Sequence, residues 1–420
     1  MTVSPYSRQT MASPDTTDLI PDSHSLRGMR GLVPILSGRA LSALSAQVLA
    51  VAVGWQIYAL THSVAALGLI GLTQFLPMAC LVFLAGHTAD HYNRRRIVQI
   101  CQCVEVVASL TMGVTSLTGH LAPWAIFVLV ATFGALRSFE APAQQTFLPS
   151  IATPAQFPRA AALSSSLFQM ASIAGPSIGG LLYGLGAGYC YLICAVGFAA
   201  SFCATTLLNL PKRNVGRSPM TLASVFGGIA FLRRRKDLMG AISLDLFAVL
   251  LGGATAMLPV YASDVLSLGP IGLGVLRSAP ALGALSMSLF LARRPLTGRC
   301  GALMFGAVGI FGIATIVFGL SQTLWVSVAA LAMLGAADVI SVVIRGALTQ
   351  LATPDSMRGR VSAVNMLFIG SSNQLGEFES GMLASVIGPE AAVVFGGFGT
   401  LCVAGLWIWL CPSVWRLNRL

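Results

Sequence analysis

Long apolar segments, separated by short polar breaks, dominate the sequence. They lie at residues 31–60, 65–88, 97–117, 121–146, 159–184, 188–210, 237–262, 270–292, 300–320, 324–350, 360–387 and 390–412. A helix needs about 20 apolar residues to cross a bilayer once. Spanning β-strands would show alternation with a period of two, and these runs are unbroken. The sequence therefore predicts an all-α membrane protein with twelve transmembrane helices.

The small fraction of charged residues indicates which environment the protein surface faces. Charged residues make up 9% of the 420 residues and hydrophobic residues 55%, whereas a soluble protein carries about 25% charged residues. Most of the surface is therefore expected to face lipid. The nine cysteines include no CxxC pair, so neither a disulfide framework nor a metal site is predicted, and no cofactor is expected.

Lysine and arginine occupy only alternate breaks. With the amino terminus inside, the inner breaks and the tails hold all basic residues except four, and the outer breaks hold none. Cytoplasmic loops are enriched in these residues. We therefore predict that both termini are cytoplasmic, in the cell (inner) membrane. The net charge of +11 is then a topology signal, and nucleic acid is not an expected partner.

The chain is organised as two related halves. The expected parts are a disordered cytoplasmic tail (1–30), a six-helix bundle (31–210), a cytoplasmic linker (211–236), a second six-helix bundle (237–412) and a short cytoplasmic tail (413–420). Matching residues recur after about 200 positions, as in Gly134 and Gly335, Gly175 and Gly376, Gly180 and Gly381, Gly71 and Gly274, and Pro77 and Pro280. Two such halves are typical of carriers with a solute site at the midplane.

Two segments carry recognisable motifs. The break after the second segment reads GHTADHYNRRR, which contains Gly86, Asp90, Arg94, Arg95 and Arg96. The fifth segment reads ASIAGPSIGG, which contains Gly175, Pro176, Gly179 and Gly180. An aspartate beside a helix start is suited to cap that helix or to pair with an arginine, and we expect one of these roles for Asp90.

These stretches resemble the loop signature and the antiporter signature of the major facilitator superfamily. Thr88, His91 and Asn93 depart from the first pattern, and Ala171 stands where the second has glycine. The resemblance implies that the loop latches the cytoplasmic side shut in the outward-facing state, and it favours export driven by proton exchange. Residues 139–149 and 335–365 resemble an efflux subgroup that includes the enterobactin exporter and macrolide pumps.

Ionisable residues inside the apolar segments are the candidate functional residues. A charge at mid-bilayer costs about 2.5–3.5 kcal/mol on insertion scales, so these residues should pair or face a wet cavity. A shift of 201 residues places Arg137 opposite Asp338 and Gln144 opposite Arg345. We hypothesise that a cytoplasmic-side gate is formed by Arg137, Glu140, Asp338 and Arg345, with a static structural pair as the alternative.

A second group is predicted to bind the proton or the solute. Its members are Glu377, Glu379, Glu105, Asp245, Gln47 and Asn373. Residues two apart on a helix point about 200° from each other, so Glu377 and Glu379 cannot both face one cavity. We favour Glu377 as the proton carrier.

Three kinds of function are compatible with this sequence. The first is proton-coupled efflux of a siderophore, drug or amphiphile by a monomer, with protons, the solute and the bilayer as partners. The second is import of a small nutrient by proton symport. The third is a non-transporting membrane sensor or anchor. The sequence contains neither GxxxxGK[ST] nor HExxH, so ATP-driven pumping and enzymatic catalysis are not predicted.

Overall fold

In the computed structural model the described residues, 29, 31–153, 155–208, 230–294 and 298–417, form twelve long helices and no β-strand. These are α1 (Leu32–Thr61), α2 (Val64–His91), α3 (Arg94–Leu117), α4 (Pro123–Gln144), α5 (Phe157–Gly184), α6 (Ala187–Thr206), α7 (Lys236–Leu251), α8 (Gly269–Arg293), α9 (Cys300–Gly319), α10 (Leu324–Ala352), α11 (Asp355–Ile387) and α12 (Pro389–Leu410). Most of the predicted tail and linker lies outside the described residues.

Ten of these helices are long and apolar enough to cross a membrane. The other two, α5 and α11, have 28 and 33 residues but are more polar. Both lie at the boundary between the halves, where α5 packs against α8 and α11 packs against α2. Each of the two helices therefore has a face covered by the other half, and the predicted twelve-helix architecture is confirmed.

Each half is built by the same set of helix contacts. In the first half α1 packs on α5 and α6, α2 on α4, and α3 on α4 and α6. In the second half α7 packs on α11 and α12, α8 on α10, and α9 on α10 and α12. Adding six to each helix number of the first set gives the second, so the sequence repeat is a structural pseudo-symmetry.

Glycines matched by the repeat make equivalent close approaches. A methyl group on Gly134 of α4 would collide with the carbonyl of Gln74 in α2, and one on Gly335 of α10 would collide with the carbonyl of Pro280 in α8. Only glycine allows the two backbones to come so near. The repeat therefore conserves helix contacts as well as residue types.

The start of α1 and the end of α12 lie on one side of the bundle, since twelve crossings separate them; we call this the termini side. On the opposite side, α4 and α10 begin beside Trp124 and Trp325, which are 70% and 80% exposed. These two tryptophans are related by the 201-residue shift. Exposed tryptophans at helix ends are typical of membrane–water interfaces, which is where both helices start.

The two halves approach each other most closely towards the opposite side. A methyl group on Gly68 of α2 would lie 2.9 Å from the Cα of Gly381 in α11. In the pseudo-symmetric pair of helices, a methyl group on Gly180 of α5 would lie 2.7 Å from the Cα of Gly274 in α8. Tyr58 also donates a hydrogen bond across the boundary to Asp264. The opposite side of the protein is therefore closed.

The seventh crossing is discontinuous, although the sequence predicted one continuous apolar segment there. Helix α7 ends at Leu251 and the chain continues through a 3₁₀ turn (Ala254–Met257), a short α turn (Leu258–Val260) and a π turn (Tyr261–Val265). Gly252 and Gly253 occupy the break, and a methyl group on Gly253 would lie 2.6 Å from the carbonyl oxygen of Gly376. Close packing against α11 replaces regular helix at this point.

Candidate functional site

A cavity of about 290 Å³ lies between the two halves, on the termini side of the glycine contacts. Its walls come from α1 to α4 and α6 in the first half and from the broken seventh crossing, α8 and α11 in the second half. Thr255 and Pro259 of the broken crossing face it. Irregular backbone at membrane depth is stable where it lines such a cavity.

Each half contributes one acid and one arginine to the cavity wall. Glu105 of α3 and Arg137 of α4 come from the first half, and Arg277 of α8 and Glu377 of α11 come from the second. Opposite charges that share a low-dielectric cavity stabilise one another. The four residues make this cavity the site where ionisable groups of both halves meet.

On the first-half wall, two carboxyl groups lie side by side. Glu105 is 2% exposed and lies next to Glu140 and near the guanidinium of Arg137. Glu140 accepts hydrogen bonds from Gln102 at 3.2 Å and from Gln144 at 2.6 Å. Among the described residues, Oε2 of Glu105 has no hydrogen-bond partner. This buried oxygen is therefore a position where a proton would satisfy the carboxyl group.

On the second-half wall, Arg277 connects the two halves. Its Nη1 donates a hydrogen bond of 3.1 Å to the backbone oxygen of Ala50 in α1. Glu377 is its acidic neighbour and packs against Gly71 of α2, where a methyl group would lie 3.1 Å from Oε2. Glu377 therefore lies both at the cavity and at the boundary between the halves.

The remaining proton and solute candidates divide between the cavity and other places. Gln47 lines the cavity, whereas Glu379 does not and accepts a hydrogen bond of 3.4 Å from Ser380. Asn373 is exposed and does not line the cavity. The next residue, Gln374, lines the cavity and donates a hydrogen bond of 3.4 Å to the side chain of Gln74 in α2. One residue turns a helix by about 100°, so the prediction of Asn373 missed the cavity by one position.

The predicted gate residues gather within each half instead of across the halves. Arg345 forms a buried ion pair with Asp245 of α7. Asp245 also accepts a hydrogen bond of 3.1 Å from the hydroxyl of Ser341. Asp338 lies beside this pair in a separate small cavity. Arg137 lies near Glu105 and Glu140 of its own half.

The predicted contact between Arg137 and Asp338 is therefore not formed in this conformation, because α4 and α10 do not pack extensively against each other. Asp245 is likewise placed outside the central cavity, in its ion pair with Arg345. The 201-residue shift correctly related the positions on α4 and α10, but equivalent positions do not have to touch.

The residues of the loop motif surround the start of α3. The cap of this helix is Asn93, whose side-chain oxygen accepts from the backbone nitrogens of Arg95 at 3.0 Å and Arg96 at 3.4 Å. The side chain of Asp90 is outside the described part of the chain, and Gly86 lies in α2. Arg95 donates to the backbone oxygen of Thr206 at the end of α6. Since asparagine is a favoured N-cap, the cap could have been predicted at Asn93.

The antiporter-like motif packs α5 against two helices. A methyl group on Gly175 would lie 2.5 Å from Cβ of Gln47 in α1, and one on Gly179 would lie 3.1 Å from Cβ of Val51. Gly180 meets α8, as described above, and Pro176 is buried within the helix. The motif therefore lies where α1, α5 and α8 meet, beside the central cavity.

Two pseudo-symmetric six-helix bundles around a cavity with charges from both halves define a membrane transporter of the major facilitator type. The profile of the transmembrane secretion effector family matches residues 35–413. The chain belongs to this family of major facilitator transporters. Membership identifies it as a multi-pass membrane transporter, and the family is not enzymatic.

Similar proteins agree with this assignment. The enterobactin exporter EntS of Shigella boydii serotype 18 is 26% identical over 396 residues, which cover 92% of both chains. A POT family transporter in complex with 5-aminolevulinic acid has a TM-score of 0.72 at 11% identity, covering 93% of this chain and 98% of the other. A bacterial homologue of the lysosomal transporter Spinster, inward-facing and occupied, has a TM-score of 0.71 at 13% identity, with coverage of 92% and 95%.

Proposed function

We propose that the protein exports a small molecule from the cytoplasm in exchange for protons, by alternating access of the central cavity to the two sides of the cell (inner) membrane. In this proposal both termini are cytoplasmic, because only alternate breaks carry Lys and Arg. Similarity to proteins named enterobactin exporters supports the outward direction. Since one chain supplies both halves of the cavity, we propose that a monomer is sufficient.

The observation that carries the proposal is the cavity wall with one acid and one arginine from each half. Because the wall is shared, the distances among these charges depend on how the halves are placed relative to each other. A change in protonation therefore changes the relative free energies of the two arrangements. Rocking of the halves about such a cavity alternates its access.

Glu377 and Glu105 are the proposed proton carriers. In the conformation with the opposite side closed, the cavity communicates with the cytoplasm, where a proton leaves and the solute enters. After the halves rock, the solute leaves on the outside and a proton returns to the carboxylate. A solute that uses the same arginines and carboxylates competes with the proton, and this competition couples the two fluxes.

The cavity wall supports an amphiphilic substrate, such as a siderophore or a drug. Apolar side chains of Leu49, Val53, Phe133 and Phe198 lie beside the four ionisable residues. A solute with an apolar body and a few polar or charged groups would pack against these apolar side chains and bind the ionisable residues. Ligand pockets usually combine many apolar side chains with a few placed polar groups.

The test is accumulation of candidate compounds in a deletion strain and in the same strain expressing the protein. A panel of siderophores, antibiotics and dyes is measured with and without a protonophore. We expect the deletion strain to retain more of at least one compound, and the protonophore to abolish the difference. Lower accumulation in the deletion strain would instead support import by proton symport, and a difference that persists with the protonophore would contradict proton coupling.

A further inference from the structure

A second cavity, of about 210 Å³, lies within the first half on the termini side. It shares no lining residue with the central cavity. Its walls come from α1, the end of α4, the following segment, the start of α5 and the end of α6. We call it the Arg39 pocket, after the basic residue in its wall.

Arg39 differs from the other arginines within the spans. Arg137 has Glu105 and Glu140 nearby, Arg277 has Glu377, and Arg345 is paired with Asp245. Within the described part of the chain, Arg39 has no acidic partner and no acid lines its pocket. A half-buried guanidinium without an acid is suited to bind an anion from outside the chain.

The contacts of Arg39 leave most of its donors free for such an anion. Its Nη1 donates a hydrogen bond of 3.0 Å to the hydroxyl of Ser164, and its guanidinium lies 5.8 Å from the centre of the Phe168 ring. A guanidinium has five N–H donors in a planar fork that matches phosphate and carboxylate groups. Ser165 and Thr205, which also carry hydroxyl groups, line the pocket as well.

The depth and the walls of the pocket indicate what carries the anion. Arg39 lies seven residues into α1, about 10 Å from its start at a rise of 1.5 Å per residue. A helix that starts at the membrane surface would place this residue near the boundary between head groups and acyl chains. Apolar side chains of Ile35, Phe147, Leu148 and Leu208 line the pocket beside the arginine, so an anionic group attached to an apolar body fits best.

We propose that the Arg39 pocket binds a phosphate group, held by Arg39 and the neighbouring hydroxyls. The source of the phosphate is either the head group of an inner-leaflet phospholipid or a free phosphate. The site is distinct from the transport cavity, and it does not depend on the direction or the coupling of transport.

The test compares three probes on the purified full-length protein in neutral detergent. The probes are dihexanoyl phosphatidylglycerol, dihexanoyl phosphatidylcholine and inorganic phosphate, and binding is measured by calorimetry and by the shift in thermal unfolding. Arg39→Gln removes the charge of the pocket. Arg159→Gln is the matched control. Arg159 is an exposed arginine in the first turn of α5, at the same end of the helix as the pocket, but it does not line the pocket.

We expect the wild-type protein and Arg159→Gln to bind phosphatidylglycerol, and Arg39→Gln to bind it about ten-fold more weakly or worse. If inorganic phosphate binds equally well and with the same dependence on Arg39, the proposal holds with a free anion as the source. Arg39→Lys provides a second folded variant, which keeps the charge but not the planar fork and should bind several-fold more weakly. Binding of neither anionic probe, or equal losses in Arg39→Gln and Arg159→Gln, would overturn the proposal.

Discussion

Arg277 of the second half donates a hydrogen bond of 3.1 Å to the backbone oxygen of Ala50 in the first half. The pseudo-symmetric position in the first half is Gln74, because Gly71 and Gly274 as well as Pro77 and Pro280 are 203 residues apart. Gln74 also forms a bond across the boundary, with Gln374 of α11. Equivalent positions on α2 and α8 thus hold the halves together at the depth of the cavity.

Removing the carboxylate of Glu377 tests the proton carrier. Glu377→Gln keeps the size of the side chain but cannot release a proton, so we predict that efflux loses its dependence on the proton gradient. The measurement is transport in proteoliposomes with an imposed pH difference. Glu379→Gln is the matched control, since Glu379 is on the same helix but does not line the cavity, and it should keep more than about half of the coupled activity. Unchanged coupling in Glu377→Gln would remove this residue from the mechanism.

Filling the contact between Gly180 and Gly274 tests closure of the opposite side. In Gly180→Ala the new methyl group would lie 2.7 Å from the Cα of Gly274 and 2.7 Å from the carbonyl oxygen of Pro270, both in α8. Overpacking of this kind costs about 1–3 kcal/mol. We predict a shift towards the conformation open on that side, detected as faster labelling of a cysteine placed near Tyr58. Gly306→Ala is the control, because nothing lies within 4 Å of its new methyl group. Equal labelling of the two variants would contradict this role.

The hydrogen bond from Tyr58 to Asp264 is expected to contribute to the same closure. A bond to a charged acceptor contributes about 1.5–3 kcal/mol, so Tyr58→Phe should also favour the conformation open on the opposite side. The same labelling assay measures this effect. Tyr189→Phe changes a tyrosine that is 54% exposed and should leave the labelling rate unaltered; a similar shift in both proteins would argue against a specific contact.

Two ion pairs that involve α7, one buried and one more exposed, allow a comparison of how much each stabilises the protein. Asp245 and its partner Arg345 are 5% and 4% exposed, and breaking a buried pair from one side costs about 3–5 kcal/mol. Asp237 pairs with Arg235 at 2.8 Å in a more exposed position, where a pair contributes about 0–1 kcal/mol. We predict that Asp245→Asn lowers the thermal stability in detergent far more than Asp237→Asn. Similar losses would show that the buried pair is not structural.

The gate between Arg137 and Asp338 remains a prediction for the other conformation. If the two side chains meet when the termini side closes, their effects on transport will not be additive. Transport rates of Arg137→Ala, Asp338→Ala and the double variant form a cycle that measures the coupling. We expect a coupling of about 0.5–3 kcal/mol, and a value near zero would exclude the contact.

Much of the fold could be predicted because hydropathy and charge act on each segment separately. Each apolar run responds to the bilayer on its own, so the run at 324–350 gave α10 (Leu324–Ala352) within two residues. The break after α7 was missed because Gly252, Gly253 and Pro259 are also common in continuous membrane helices. The break is decided by tertiary packing, against Phe311 of α9 at Gly252 and against Gly376 of α11 at Gly253.

The candidate site was predicted in composition but not in arrangement. The sequence identified Glu105, Arg137 and Glu377 as candidates among the ionisable residues of the apolar segments, and it favoured Glu377, but it did not select Arg277. It also placed Arg137 against Asp338, whereas the structure places Arg137 beside two acids of its own half. The 203-residue offset relates Arg277 to Gln74, but it does not give the partners of Arg277, which are Ala50 and Glu377.

The sequence alone determined the number of crossings, the alternation of basic breaks and the repeat, because these follow from the cost of placing single residues in lipid or in water. The tertiary structure decided which ionisable groups share a cavity, as the difference between Asn373 and Gln374 illustrates. Each step along a helix rotates a side chain by about 100°. Charge pairing therefore depends on how helices distant in the chain are rotated and packed, which no local pattern records.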